Sequence, residues 1–121
     1  MPIKNILVVD DSPTDLQHLS EILTKSGYHV TTAASAETAL AQVKALKPDL
    51  VLMDVVMPGQ NGFQATRAIT RDETTKHIPV IICTSKSQET DRVWGMRQGA
   101  RDYVVKPIDQ TTLLAKIAAL G

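Results

Sequence analysis

The sequence predicts an α/β fold, a doubly wound parallel sheet of five strands flanked by five helices. Three observations carry that expectation. Short apolar runs recur and end on polar residues, as in Ile6-Leu7-Val8-Val9, Leu50-Val51-Leu52-Met53 and Val80-Ile81-Ile82-Cys83. Runs without polar alternation suit strands covered on both faces. Between them lie segments with apolar residues at helical spacing, bounded by serines, prolines and glycines placed as caps and stops. Strands alternating with helices in this way call for a mostly parallel sheet with helices on both sides.

The elements follow in order. The first strand runs straight into Asp10 and Asp11. Ser12 is placed to cap the next helix, Pro13 suits its first position, and Asp15 sits in the positively polarised first turn. Leu16, Leu19, Ile22 and Leu23 form its apolar stripe, and Gly27 closes it. His29–Ala33 reads as a more polar strand near a sheet edge. Ser35 caps a second helix with Ala39, Leu40, Val43 and Leu46 on its buried face, and Pro48 ends it.

The central strand stops on Asp54, and Met57-Pro58-Gly59 with Asn61-Gly62 turns the chain out of the sheet. A third helix is expected over about residues 63–72, with Phe63 and Ile69 among its apolar positions. Pro79 opens the fourth strand, which finishes at Thr84-Ser85. A fourth helix over about residues 89–98 carries Val93, Trp94 and Met96. Gly95 inside it costs about 1 kcal/mol relative to alanine, so this helix reads as weak. Asp102–Val105 is the fifth strand and leads to Lys106-Pro107. Asp109 caps the last helix, striped by Leu113, Leu114, Ile117 and Leu120.

At 121 residues the chain reads as one domain, 1–121, large enough to bury a core without staples. Thirteen basic side chains balance thirteen acidic ones, which argues against nucleic-acid binding by bulk charge. No apolar run approaches the ~20 residues of a membrane span. The start, Met1-Pro2-Ile3-Lys4-Asn5, lacks the apolar core of a signal peptide. A single cysteine, Cys83, leaves no internal disulfide and fits a reducing cytoplasm, with the thiol as a small core residue.

In a parallel sheet the strand ends share one edge, which here would gather Asp10, Asp11, Asp54, Thr84, Ser85 and Lys106. Crowded carboxylates repel unless a cation intervenes, and two remedies are present in principle: Lys106 and a hard divalent ion such as Mg²⁺. A hydroxyl and an ammonium aimed at the same place suit a phosphoryl group, and a carboxylate beside them can act as its acceptor. Each residue alone has a plainer role: a helix cap for Asp10 or Asp11, a strand-end threonine, a solvated lysine. Their joint placement is what points to phosphoryl chemistry.

Across essentially its whole length the sequence resembles the receiver domains of two-component response regulators, of which the chemotaxis protein CheY is the stand-alone type. The resemblance rests on Asp10-Asp11, on Asp54 within Leu52-Met53-Asp54-Val55-Val56-Met57-Pro58-Gly59, on Thr84, on Gly99-Ala100, and on Lys106-Pro107. It implies strand order 2-1-3-4-5. It also implies Asp54 as phosphoacceptor and Mg²⁺ held by Asp11, Asp54, the Val56 backbone carbonyl and, through water, Asp10. Lys106 would pair with phosphoryl oxygens across a cis peptide to Pro107. Thr84 would swing towards the phosphoryl group, and Tyr103 would turn inward into the space left, although a strand tyrosine more commonly keeps its hydroxyl in water.

The stretches 57–67 and 93–103 further resemble the small regulators of type IV pilus twitching motility, PilH-like and PilG-like proteins. That implies a chemotaxis-type histidine kinase as donor and a downstream protein partner, a pilus motor or regulatory protein among them. It also implies a monomer or a weak, phosphorylation-linked dimer that is a switch and not a turnover enzyme. Signalling would pass through the surface of the fourth helix, fifth strand and fifth helix, with Trp94 a candidate anchor. A phosphate sink for a shared kinase and a phosphorylation-independent scaffold are the alternatives. A metal-dependent phosphohydrolase would want an acid at Val56, and a flavin carrier would want a hydroxyl-rich loop where Asp10-Asp11 stands.

Overall fold

A computed structural model describes residues 3–57 and 61–120. Its elements are β1 (Asn5–Val9), α1 (Pro13–Lys25), β2 (His29–Ala33), α2 (Ala36–Leu46) and β3 (Leu50–Met53), then α3 (Gly62–Arg71), β4 (Val80–Thr84), α4 (Glu89–Arg97), β5 (Asp102–Val105) and α5 (Gln110–Leu120). The strands form one sheet in the order β2-β1-β3-β4-β5, and every neighbouring pair is parallel. The expected architecture is therefore the observed one. Pro58, Gly59 and Gln60, part of the expected turn after the central strand, lie outside the described residues.

The chain reverses its direction of winding between β1 and β3, and such reversals open a crevice at the carboxyl ends of the strands. Val9 pairs in register with Met53, so the next residues, Asp10 and Asp54, emerge side by side. Hydrogen bonds carry the ladder one step beyond the strands: the Asp54 amide donates to the Val9 carbonyl at 2.9 Å. The Lys106 amide does the same to the Thr84 carbonyl at 2.8 Å. The sheet thus holds the roots of these side chains rigidly.

Successive strand residues face opposite sides, which divides the core in two. Ile6, Val8, Leu50, Leu52, Ile81 and Cys83 pack against Leu19 and Leu23 of α1 and Leu113 and Ile117 of α5. Leu7, Val9, Val51, Met53 and Val80 pack against Ala39 and Val43 of α2 and Ala65 and Ile69 of α3. A smaller cluster of Val55, Phe63, Ile82, Ala100 and Tyr103 lies under α4. Its position is explained by Gly95: a β-carbon there would stand 2.7 Å from Ile82 Cδ1 and 3.3 Å from the Tyr103 ring. The glycine that weakens α4 is the residue that lets α4 lie close to the sheet.

One sequence expectation is corrected. Leu46 is 58% exposed, not on the buried face of α2. It is the last residue of that helix, and Lys47 follows at φ 50°, turning the chain before another buried position is reached. Helix α3 begins at Gly62 because the Asn61 side chain accepts the Gln64 amide at 2.9 Å and caps it. Gly62 itself is required by a close approach, since a β-carbon would fall 2.0 Å from the Asp54 carbonyl oxygen.

Candidate functional site

The strand ends bring Asp10, Asp11 and Asp54 together so that one carboxylate oxygen from each lies within 4.8 Å of the others. Asp10 and Asp54 are buried, and Asp11 is exposed at the rim. Backbone amides hold the two buried carboxylates. The Ser12 amide donates to Asp10 Oδ1 at 3.0 Å, and the Val56 amide donates to Asp54 Oδ1 at 3.0 Å. Val56 therefore stands beside Asp54 through its backbone, while its side chain faces solvent.

Lys106 enters from the end of β5, and its Lys106–Pro107 peptide is cis. Its ammonium donates to Asp10 Oδ2 at 2.6 Å, Asp15 Oδ2 at 2.9 Å and Asp54 Oδ2 at 3.3 Å. Burial alone would disfavour this charge, but the Asp10 and Asp15 hydrogen bonds outweigh it and hold the Lys106 pKa above its ordinary value. Burial, reinforced by the Asp54 charge, holds the Asp10 carboxyl above its ordinary value despite the hydrogen bonds from Lys106 and Ser12. The Lys106 hydrogen bond holds Asp15 below its own. These directions are compatible, because one ammonium is shared among several carboxylates and cannot compensate each fully.

Thr84 and Tyr103 meet this site only indirectly. Thr84 is buried, and its hydroxyl oxygen lies 3.4 Å from the Lys86 amide. Tyr103 is 6% exposed and donates its hydroxyl to the Lys86 carbonyl at 2.9 Å. Its inward position thus has a cause of its own in the packing against Gly95, apart from any movement of Thr84. Burial, with the charges of Asp91 and Asp54, pushes the phenol up to about 12, so it stays a neutral donor. Ser85 is exposed.

Asp15 was legible only as a helix-start acid, yet it joins the cluster through Lys106. No local spacing signals this, because α1 begins at Pro13 and the lysine that recruits Asp15 comes from the end of β5.

A family model described as the response regulator receiver domain matches residues 6–118. The chain belongs to that family. Protein PilH of Pseudomonas aeruginosa is 56% identical over 115 residues, a match covering 95% of each chain. Chemotaxis protein CheY4 of Vibrio cholerae superposes with a TM-score of 0.91 at 31% identity, covering 98% of this receiver and 99% of that chain. The BeF3-activated DrrB receiver domain superposes with a TM-score of 0.86 at 32% identity, covering 99% of this chain and 97% of that one.

The receiver is a component of two-component signalling, a switch operated by aspartyl phosphorylation and not an enzyme turning over a separate substrate. Its all-oxygen acidic cluster is chemically suited to a hard metal ion. Among the described residues, no helix is long and apolar enough to cross a membrane.

Proposed function

We propose that residues 1–121 act as a receiver domain whose phosphoacceptor is Asp54, fed by a chemotaxis-type histidine kinase. The observation that carries this is the position of Asp54: a buried carboxylate at the winding reversal, flanked by two further acids and reached by a lysine ammonium. A carboxylate oxygen of Asp54 attacks phosphorus and forms the new O–P bond. The bond from phosphorus to the donor nitrogen breaks, and its electron pair leaves with the donor histidine. Lys106 offers N–H donors to the charge that builds on the phosphoryl oxygens.

Asp11, Asp54 and the Val56 carbonyl, with Asp10 through water, would hold Mg²⁺, the cation whose preference for oxygen donors and retained water best fits this set. When bound, Mg²⁺ would neutralise carboxylate charge and polarise the phosphoryl oxygens.

Phosphorylation adds about −1.5 to −2 charge and three acceptor oxygens at the sheet edge. Thr84 turns its hydroxyl to that new acceptor and gives up the Lys86 amide. The Lys86 carbonyl is the acceptor for Tyr103, so both switch residues act on one stretch of backbone ahead of α4. The outward face of α4 and β5, where Val93, Trp94, Met96 and Val105 are exposed, then presents a changed surface to a protein partner. Trp94 is half exposed there, suited to anchor that partner. The likeness to PilH supports twitching motility as the setting and a pilus motor or regulatory protein as the partner.

Intact mass after incubation with acetyl phosphate and Mg²⁺ tests the acceptor. The expected result is one added phosphoryl in the wild type, none in Asp54→Asn, and loss of the adduct when EDTA precedes the donor. A wild type that binds Mg²⁺ but gains no mass even from a cognate kinase would sink the reading.

A further inference from the structure

We propose that Asp15 is a positioning residue that holds Lys106 back from Asp54 until phosphoryl transfer displaces it. The inference rests on Asp54 being the acceptor. It starts from a count of donors: an ammonium has three N–H groups, and Asp10, Asp15 and Asp54 take all of them. The separation is longest to the acceptor, 3.3 Å, and shorter to Asp15, 2.9 Å. The resting ammonium is therefore drawn towards α1 and away from the site of chemistry.

When phosphoryl oxygens arrive at Asp54 they take over the N–H now given to its carboxylate, and a second N–H for them must come from Asp10 or Asp15. Asp10 is ill suited, because its side chain is 2% exposed and would be left buried with its ammonium bond broken. The Asp15 side chain is 40% exposed and can exchange the ammonium for water at little cost. Space for that exchange is present. A cavity of about 100 Å³ lies beside the pair, lined by Asp15, His18, Leu19, Lys106, Pro107 and Ile108. Asp15 is thus the exchangeable partner and Asp10 the permanent one.

The Asp15 amide also donates to the capping Ser12 hydroxyl at 3.3 Å, and a carboxylate in the first turn suits the helix dipole. Those are structural roles, and Asp15→Asn keeps the amide while removing only the charge. If structure were all, that variant would melt slightly earlier and phosphorylate at the wild-type rate. If Asp15 restrains Lys106, the variant accepts phosphoryl groups faster, by about fivefold for one weakened charge-assisted bond.

The test follows the phosphorylation rate by intact mass for wild type, Asp15→Asn and Asp15→Glu at saturating Mg²⁺. Two donors of different charge, acetyl phosphate and phosphoramidate, are compared at low and high salt. The expected result is the same gain with both donors at both salt concentrations, with Asp15→Glu returning towards the wild-type rate. A gain confined to the more highly charged donor and erased by salt would mean that Asp15 acts only as a repulsive field, and no gain would mean that it only supports α1; either overturns the proposal.

A second readout needs no phosphorylation. The ammonium ¹⁵N resonance of Lys106 should shift in Asp15→Asn and return in Asp15→Glu, whereas an unmoved resonance counts against the restraint. Failure of the wild type to phosphorylate at all would instead strike at Asp54 as acceptor, so the two readings fail separately.

Discussion

Helices α3 and α4 lie side by side and are nearly equal in length, yet they are built in opposite ways. Helix α3 is capped by the Asn61 side chain and buries Phe63, Ala65, Thr66 and Ile69. Helix α4 is preceded by Gln88, whose side chain makes no cap bond, and its sole described buried residue is a glycine. The well-anchored helix starts on the backbone of Asp54. The poorly anchored one carries the exposed Val93, Trp94 and Met96. Chemistry needs a fixed frame, whereas a signalling surface needs two arrangements of similar energy. The difference between α3 and α4 supplies both in one small fold.

The sharpest way to break that contrast is Gly62→Ala. A β-carbon would meet the Asp54 carbonyl oxygen at 2.0 Å and the Val55 α-carbon at 2.7 Å, and backbone cannot yield as a side chain can. The expected cost is about 3 kcal/mol in urea unfolding, with phosphoacceptance lost in whatever still folds. Gly95→Ala should be milder, because its nearest neighbour is the end of the Ile82 side chain and not backbone. The helix gains about 1 kcal/mol of propensity and loses about 1–3 kcal/mol to overpacking, a net destabilisation of about 1 kcal/mol. Its specific mark is displacement of the Tyr103 ring, seen as changed aromatic NMR shifts and a weakened hydrogen bond to Lys86.

Caps offer a smaller and two-signed comparison. Asn61→Ala removes the Gln64 bond and should cost about 1 kcal/mol. Gln88→Asp supplies α4 with the cap it lacks and should gain about 0.5 kcal/mol. Hydrogen exchange separates the two effects by location: Asn61→Ala lowers protection in α3, and Gln88→Asp raises it in α4. Equal changes in both helices would mean that they open as one unit, contrary to the comparison.

The sequence showed the frame better than the working parts. Uninterrupted runs such as Leu50-Val51-Leu52-Met53 admit few readings, and strand-end polar residues follow the strands to a shared edge. Asp10, Asp54 and Lys106 were therefore visible together. Strand order was reached only through resemblance, because periodicity does not encode which strands are neighbours. Gly95 was legible as a cost to α4 but not as the contact that seats it, since only the third dimension brings Ile82 and Tyr103 beneath it. Asp15 was seen as a helix-start acid for the same reason: the lysine it binds lies 91 residues away.

The smallest expected effect concerns how the two helices end. Asp72 closes α3, and its carboxylate accepts the Thr74 amide at 2.8 Å and the Thr74 hydroxyl at 2.7 Å. Those two bonds, the amide first, hold its pKa below the ordinary 3.8. A depressed folded value means that the stabilisation is fully present above the ordinary pKa and is lost as pH falls through the lowered one. Helix α4 is closed instead by Gln98, whose side-chain amide donates to the Trp94 carbonyl at 3.2 Å and carries no titrating group. On acidification below pH 3.8, amide protection at the α3 exit should therefore fall while that at the α4 exit holds. Asp72→Asn should remove this pH dependence at α3. A loss of protection that began at α4 would show that its weak anchoring, and not carboxylate titration, governs the response to acid.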